Sequence, residues 1–171
     1  PKILDNRIDH LARWSGIANG GFHNDGIQTI ADIPGMQIRN LTVAYNWIGP
    51  NVASTPGSLT SLIFLAHANT GAKIYNNFLQ LADNHKSSNP VLQGGTHPYV
   101  VYLPGAEQAL IANNTITAGG RGPSGTWLLS GAISAASTLV QGNLAVGVGS
   151  YISAALTAQA TIPFYSDYNV F

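Results

Sequence analysis

The chain has no cysteine, one methionine and only 8% Asp, Glu, Lys and Arg. Without cysteine there is neither a disulfide nor a thiolate metal site, so stability must come from packing and hydrogen bonds. A typical soluble domain is roughly one quarter charged, so the polar surface here has to be built from Asn, Ser, Thr, Gln and Gly. Seven basic and seven acidic residues cancel to a net charge of zero, which leaves no field to draw in nucleic acid or an anionic membrane. No nucleic-acid partner is expected. No apolar run approaches the roughly 18 residues of a bilayer span, and no membrane insertion is expected. The chain begins at Pro1 rather than at Met and is read as a piece of a longer protein.

What is present is a chain of 171 residues, 45% apolar, enough for one core and read as a single domain, 1–171. Its apolar runs are short and rich in Val, Ile, Leu, Tyr and Thr, and 19 Gly and 9 Pro interrupt them. That pattern favours strands over helices. Six stretches are alike: ILDNRI from Ile3, IRNLTV from Ile38, IYNNFL from Ile74, IANNTI from Ile111, VQGNLA from Val140 and YSDYNV from Tyr165. The third position is Asp or Asn in five of them, and Gly142 is the exception. Ile27, Ile63, Val100, Leu129 and Ala154 each lie 11 residues before the next motif start, while the stretch leading into each of them varies through 18, 19, 20, 12 and 8 residues.

One fixed and one variable connection per unit is the mark of a stacked repeat, in which each coil adds short strands to long sheets. In that frame Asp5, Asn40, Asn76, Asn113 and Asp167 are expected to stack as a ladder at one bend, where Asx residues tolerate left-handed backbone. Two of them, Asn40 and Asn113, head Asn-x-Thr glycosylation sequons, and a ladder would withhold both from modification.

The motifs IANNTI, IYNNFL and YSDYNVF resemble coils of the right-handed parallel β-helix proteins, the pectate-lyase-like superfamily. The resemblance implies an all-β fold, a right-handed parallel β-helix solenoid of about five to six coils with long loops on one side. It implies a polysaccharide partner and an extracellular or virion-surface location, because the superfamily includes polysaccharide lyases, glycoside hydrolases, adhesins and phage tailspikes. A similar H-x-D-G-I-Q stretch occurs in uncharacterised phage β-helix proteins. Tailspikes are parallel trimers, and a homotrimer would cover an apolar outward column expected at Gln28, Phe64, Val101, Ser130 and Ala155.

The variable loops gather the residues suited to chemistry. Aromatic faces suit the C–H faces of sugars, and Arg or Lys suits carboxylated ones. The expected binding wall is Trp14, Trp47, His85, Lys86, Tyr99, Arg121 and Trp127. Loop 9–26 holds the one cluster able to supply a general acid and base: Asp9, Arg13, His23 and Asp25. For hydrolysis the pair would be Asp9 and Asp25. For elimination His23 or His10 would be the base, with Arg13 or Arg121 neutralising a uronate carboxylate. Against both stands a reading in which Asp25 caps the turn before Gly26 and His23 is a solvated loop residue.

The motifs of known subfamilies do not carry over. Asn24-Asp25-Gly26 only faintly resembles the N-T-D of polygalacturonase-like hydrolases, and the other motifs of that group are missing. The column containing Gln28 lacks the acids that bind calcium in pectate lyases. His85 and His97 share a loop with no helix to fix them together. Neither a metal nor a cofactor is therefore expected. The expected function is binding of a polysaccharide and, if the chain is an enzyme, cleavage of a glycosidic bond, as in a tailspike or secreted depolymerase. The alternative is a non-catalytic structural module of a viral fibre, spike or adhesin.

Overall fold

A computed structural model describes residues 1–9, 24–29, 36–49, 59–65, 70–81, 99–103, 108–118, 127–130, 138–147, 150–152, 165–167 and 170. These residues form sixteen short strands in three sheets, with no helix among them. Sheet A holds β1 (Lys2–Leu4), β4 (Thr42–Ala44), β7 (Lys73–Tyr75), β10 (Leu110–Ala112), β13 (Leu139–Gln141) and β16 (Tyr165–Asp167). Sheet B holds β2 (Arg7–Ile8), β5 (Trp47–Ile48), β8 (Phe78–Leu81), β11 (Thr115–Ala118) and β14 (Leu144–Val146). Sheet C holds β3 (Asn24–Thr29), β6 (Leu59–Leu65), β9 (Tyr99–Tyr102), β12 (Trp127–Ser130) and β15 (Ser150–Ile152). Each sheet takes every third strand, and every pairing between named strands is parallel.

Apolar side chains one unit apart stack into columns. Sheet A contributes Val43, Ile74, Ile111 and Val140, and sheet B contributes Ile48, Leu79, Ile116 and Ala145, all at most 1% exposed. Ile27, Ile63 and Val101 of sheet C join the same core cluster. Burying a Val, Leu or Ile contributes about 1.5–3 kcal/mol, so these columns are the main source of stability. Successive residues of a strand face opposite sides. Leu62 and Ile63 are both 0% exposed, as are Val100 and Val101, so β6 and β9 are covered on both faces.

The connection from sheet A to sheet B is a two-residue corner in all five units: Asp5-Asn6, Tyr45-Asn46, Asn76-Asn77, Asn113-Asn114 and Gly142-Asn143. The first corner residue is left-handed, with φ of 57°, 58°, 54°, 53° and 61° in turn, and its side chain is exposed. The second is always Asn, and the last four are 1–2% exposed. The N–H and Nδ2 of Asn6, Asn46, Asn77 and Asn114 donate to Oδ1 of the Asn one unit later, at 2.9–3.0 Å. Nδ2 also donates to backbone carbonyls, as from Asn77 to Val43 and Tyr75 at 2.9 and 3.1 Å.

This corrects the expected ladder. The stacked residues are Asn6, Asn46, Asn77, Asn114 and Asn143, the fourth motif position rather than the third. Val43, not Ile38, is the partner of Ile3 and Ile74, so the second motif is VAYNWI. Val140 pairs with Ser166, which moves the last motif forward by one residue. Asn40 lies at a different bend, before β4, where φ is 53° and its N–H donates to the Thr70 carbonyl at 2.9 Å. Asp167 pairs with Gln141 inside a strand. Asn40 and Asn113, the two sequon residues, are therefore exposed turn residues rather than buried rungs.

The fixed link is likewise the A-to-B corner, not the stretch after sheet C. Connections from C to A run 30–41, 66–72, 103–109, 131–138 and 153–164, and those from B to C run 9–23, 49–58, 82–98, 119–126 and 147–149. Both vary in length. The expected outward column also changes. Gln28, Phe64, Tyr102 and Ser130 share a row, and Val101 is buried within the single chain. The trimer expectation therefore loses part of the apolar surface that called for it.

Candidate functional site

Sheet C brings Asp25, Tyr99 and Trp127 of the expected site into one row. Asp25, Ser61, Tyr99, Trp127 and Ser150 stand in one register row across β3, β6, β9, β12 and β15. Neighbouring strands are about 4.8 Å apart, so Asp25 and Trp127 are separated by about 14 Å along that row. Tyr99 and Trp127, expected in the binding wall, thus occupy adjacent strand positions. Trp47 and Trp127 lie in strands, whereas loop positions were expected for both.

Asp25 and Gly26 are also strand residues, not the turn that closes a loop. A register shift between Asn24 and Asp25 marks a bulge. Asp25 Oδ1 accepts from the Ser61 N–H at 2.9 Å and from the Ser61 hydroxyl at 2.6 Å. Ser61 is 0% exposed, so the carboxylate satisfies two buried donors and fastens β3 to β6. Gly26 is required by close approach. A Cβ there would lie 2.6 Å from the Leu62 carbonyl oxygen and 2.7 Å from Ile48 Cγ2, both far inside van der Waals contact.

Asp25→Ala is expected to cost about 2–3 kcal/mol, because both Ser61 donors lose their acceptor. Asp25→Asn retains an oxygen acceptor and is expected to cost about 1 kcal/mol. Urea unfolding of the two variants checks this ordering, and equal losses would show that the hydrogen bonds to Ser61 are not what Asp25 supplies.

Among the described side chains of sheet C, a second row is the more accessible. Phe64 and Tyr102 stack with centroids 5.0 Å apart and planes 17° from parallel. Both are half-buried, and Gln28 beside Phe64 is exposed. On sheet B the Arg7 guanidinium lies 4.1 Å from the Trp47 ring centroid, a cation–π contact of about 0.5–1 kcal/mol at an exposed site. Trp47 is thereby half covered by the unit before it.

Asp9 follows β2 and is half-buried. His10, His23, Arg13, Trp14, His85, Lys86 and Arg121 lie outside the described residues. Ser61 and Arg7 were missed by sequence reasoning. Ser61 stands two residues before Ile63 just as Asp25 stands two before Ile27, so that alignment already contained the pair. Arg7 faces Trp47 only once VAYNWI is the second motif. Among the described residues there is no group of three or more His, Cys, Asp or Glu able to hold a metal. Nor do they include a helix long and apolar enough to cross a membrane. No protein family, curated protein or solved structure matches the chain.

Proposed function

We propose that the chain is a right-handed parallel β-helix that binds a polysaccharide along sheet C, as part of a spike or a secreted polysaccharide-processing protein at a virion surface or outside the cell. The observation that carries this reading is the row Gln28, Phe64, Tyr102, Ser130. It offers a stacked aromatic pair with an exposed amide at one end, a surface suited to the apolar faces and hydroxyls of sugar rings. Lys86 and Arg121 would supply charge for carboxylated sugars. The reading is of binding rather than cutting, because Asp25 already holds two buried donors of β6.

The test incubates the protein with a panel of capsular and plant polysaccharides, acidic and neutral, and follows retention in affinity electrophoresis together with reducing ends and unsaturated uronate absorbance. Retention by at least one polymer without product is expected, and Tyr102→Ala should weaken it by about tenfold, a loss of about 1.4 kcal/mol. Product that disappears in Asp25→Asn would make the protein an enzyme and Asp25 its acid or base. No retention by any polymer would favour the second reading, a non-catalytic fibre module, which the continuous asparagine ladder supports.

A further inference from the structure

We infer that Tyr45, Tyr75 and Lys73 form a second binding site, on sheet A, for the uronic acid residues of an acidic polysaccharide. It shares only the class of ligand with the row on sheet C and stands on separate observations. Tyr45 breaks the pattern of the corners. At the first corner position the other units have Asp5, Asn76, Asn113 and Gly142, residue types that enter left-handed backbone more easily than a bulky side chain does. Tyr45 nevertheless has φ of 58°. It is also 54% exposed, so burial of the ring does little to offset the strain. Residues held in such backbone cluster at ligand-contacting sites.

Tyr45 meets Tyr75 edge to face, with ring centroids 5.7 Å apart and planes 82° from each other. Ala44 and Ala112 flank Tyr75 in its row, and neither has a side chain tall enough to hide the ring from the side. The two tyrosines form a notch with aromatic walls, suited to the C–H face of a sugar, and bring two hydroxyls for hydrogen bonds. β4 and β7 are paired on both sides, β4 with β1 and β7, and β7 with β4 and β10. The notch therefore belongs to the interior of the sheet and not to its ends.

Lys73 is exposed two residues before Tyr75 in β7, on the same side of the strand and about 7 Å away along it. Its row neighbours are Thr42 and Leu110, so no carboxylate in adjacent strands of that row competes for its ammonium. Asp5 is exposed one unit before Tyr45, whereas Lys73 is one unit after it. That polarity orients the ligand, with its carboxylate towards Lys73 and its neutral hydroxyls towards Asp5. A uronic acid carries an apolar ring face and a carboxylate in one residue. An acidic peptide offers carboxylates without the ring face, and a neutral sugar leaves Lys73 without a partner.

The test is made in Tyr102→Ala protein, where the sheet C row is impaired, so that each reading can fail alone. Affinity electrophoresis uses polygalacturonate, alginate and hyaluronate, with methyl-esterified polygalacturonate as an uncharged polymer and polyglutamate as an acidic one without sugar rings. At least one uronate polymer should retain the protein more strongly than the last two do. Tyr45→Asn should weaken that retention about tenfold while raising the urea midpoint, because asparagine tolerates the left-handed corner better. A tyrosine kept only for stability would give a lower midpoint. Lys73→Gln should weaken retention about threefold, as for an exposed ion pair, with circular dichroism unchanged. Retention by no uronate polymer in this background, equal retention by polyglutamate, a lower midpoint for Tyr45→Asn, or retention that Tyr45→Asn leaves intact would overturn the proposal.

Discussion

Replacing Asn77 with alanine is expected to lower the free energy of unfolding by about 3–5 kcal/mol, measured from the urea midpoint and slope. Asn77 is 2% exposed and sits in the middle of the ladder. Its Oδ1 accepts from the N–H and Nδ2 of Asn46, each at 3.0 Å. Its Nδ2 donates to Val43, Tyr75 and Asn114 oxygens at 2.9, 3.1 and 2.9 Å. Alanine removes all five bonds and leaves the buried Asn46 N–H without an acceptor in a site too tight for easy solvation. Asn46 Nδ2 keeps the Ile3 and Ala44 carbonyls, which limits the loss.

The neighbouring residue supplies the control. Asn76 is exposed and has φ of 54°, so Asn76→Ala should cost only about 1 kcal/mol, because asparagine tolerates left-handed backbone better than alanine. Aspartate at position 77 should not rescue the fold, since a carboxylate would face three oxygens with no proton to share. Equal losses at positions 76 and 77 would show that the ladder does not hold the units together.

Gly49→Ala should be more damaging, by about 4 kcal/mol or more, and is expected to reduce soluble yield as well as the urea midpoint. Gly49 has φ of 116°, a conformation that only glycine adopts readily. A Cβ there would overlap the Gln80 carbonyl oxygen and lie 2.8 Å from the carbonyl carbon. Backbone of the next unit cannot retreat without breaking its own pairing. Gly142→Ala offers the contrast. Its φ is 61°, and the atom a Cβ would meet is Asn113 Oδ1, the end of an exposed side chain that can turn away. That variant should cost about 1–2 kcal/mol. A wild-type midpoint for Gly49→Ala would refute the close approach of the second and third units.

The short strands, their parallel repetition and the importance of asparagine were legible in the sequence, whereas register was not. ILDNRI, IYNNFL and IANNTI carry Asx at both the third and the fourth position, so those three motifs cannot decide which residue stacks. VAYNWI and VQGNLA decide it, because only the fourth position is Asn in both. The second motif was hidden because Ile38-Arg39-Asn40-Leu41-Thr42-Val43 shows the same apolar and Asn spacing five residues upstream. Its asparagine serves a separate left-handed bend with Gly71 and Gln108, whose φ values are 72° and 54°. Once the second motif slipped, the fixed link slipped with it, and the outward column slipped separately by one residue, at Val101 instead of Tyr102. On the functional side, Asp25 was picked out by residue type. Its bonds to Ser61 join residues 36 apart, which the alignment of Ile27 with Ile63 brings together but residue type alone does not mark as a hydrogen-bonded pair.

The two-residue corner has a consequence for how such a chain can change over generations. Register between units is fixed there, by four asparagine-to-asparagine links that each tie one unit to the next. The stretches on either side of sheet C already differ from 3 residues at 147–149 to 17 at 82–98. Insertions and deletions can therefore accumulate in those stretches one unit at a time, with each change staying local. A single residue added to a corner would instead shift every later column, since a one-residue slip turns core side chains outward.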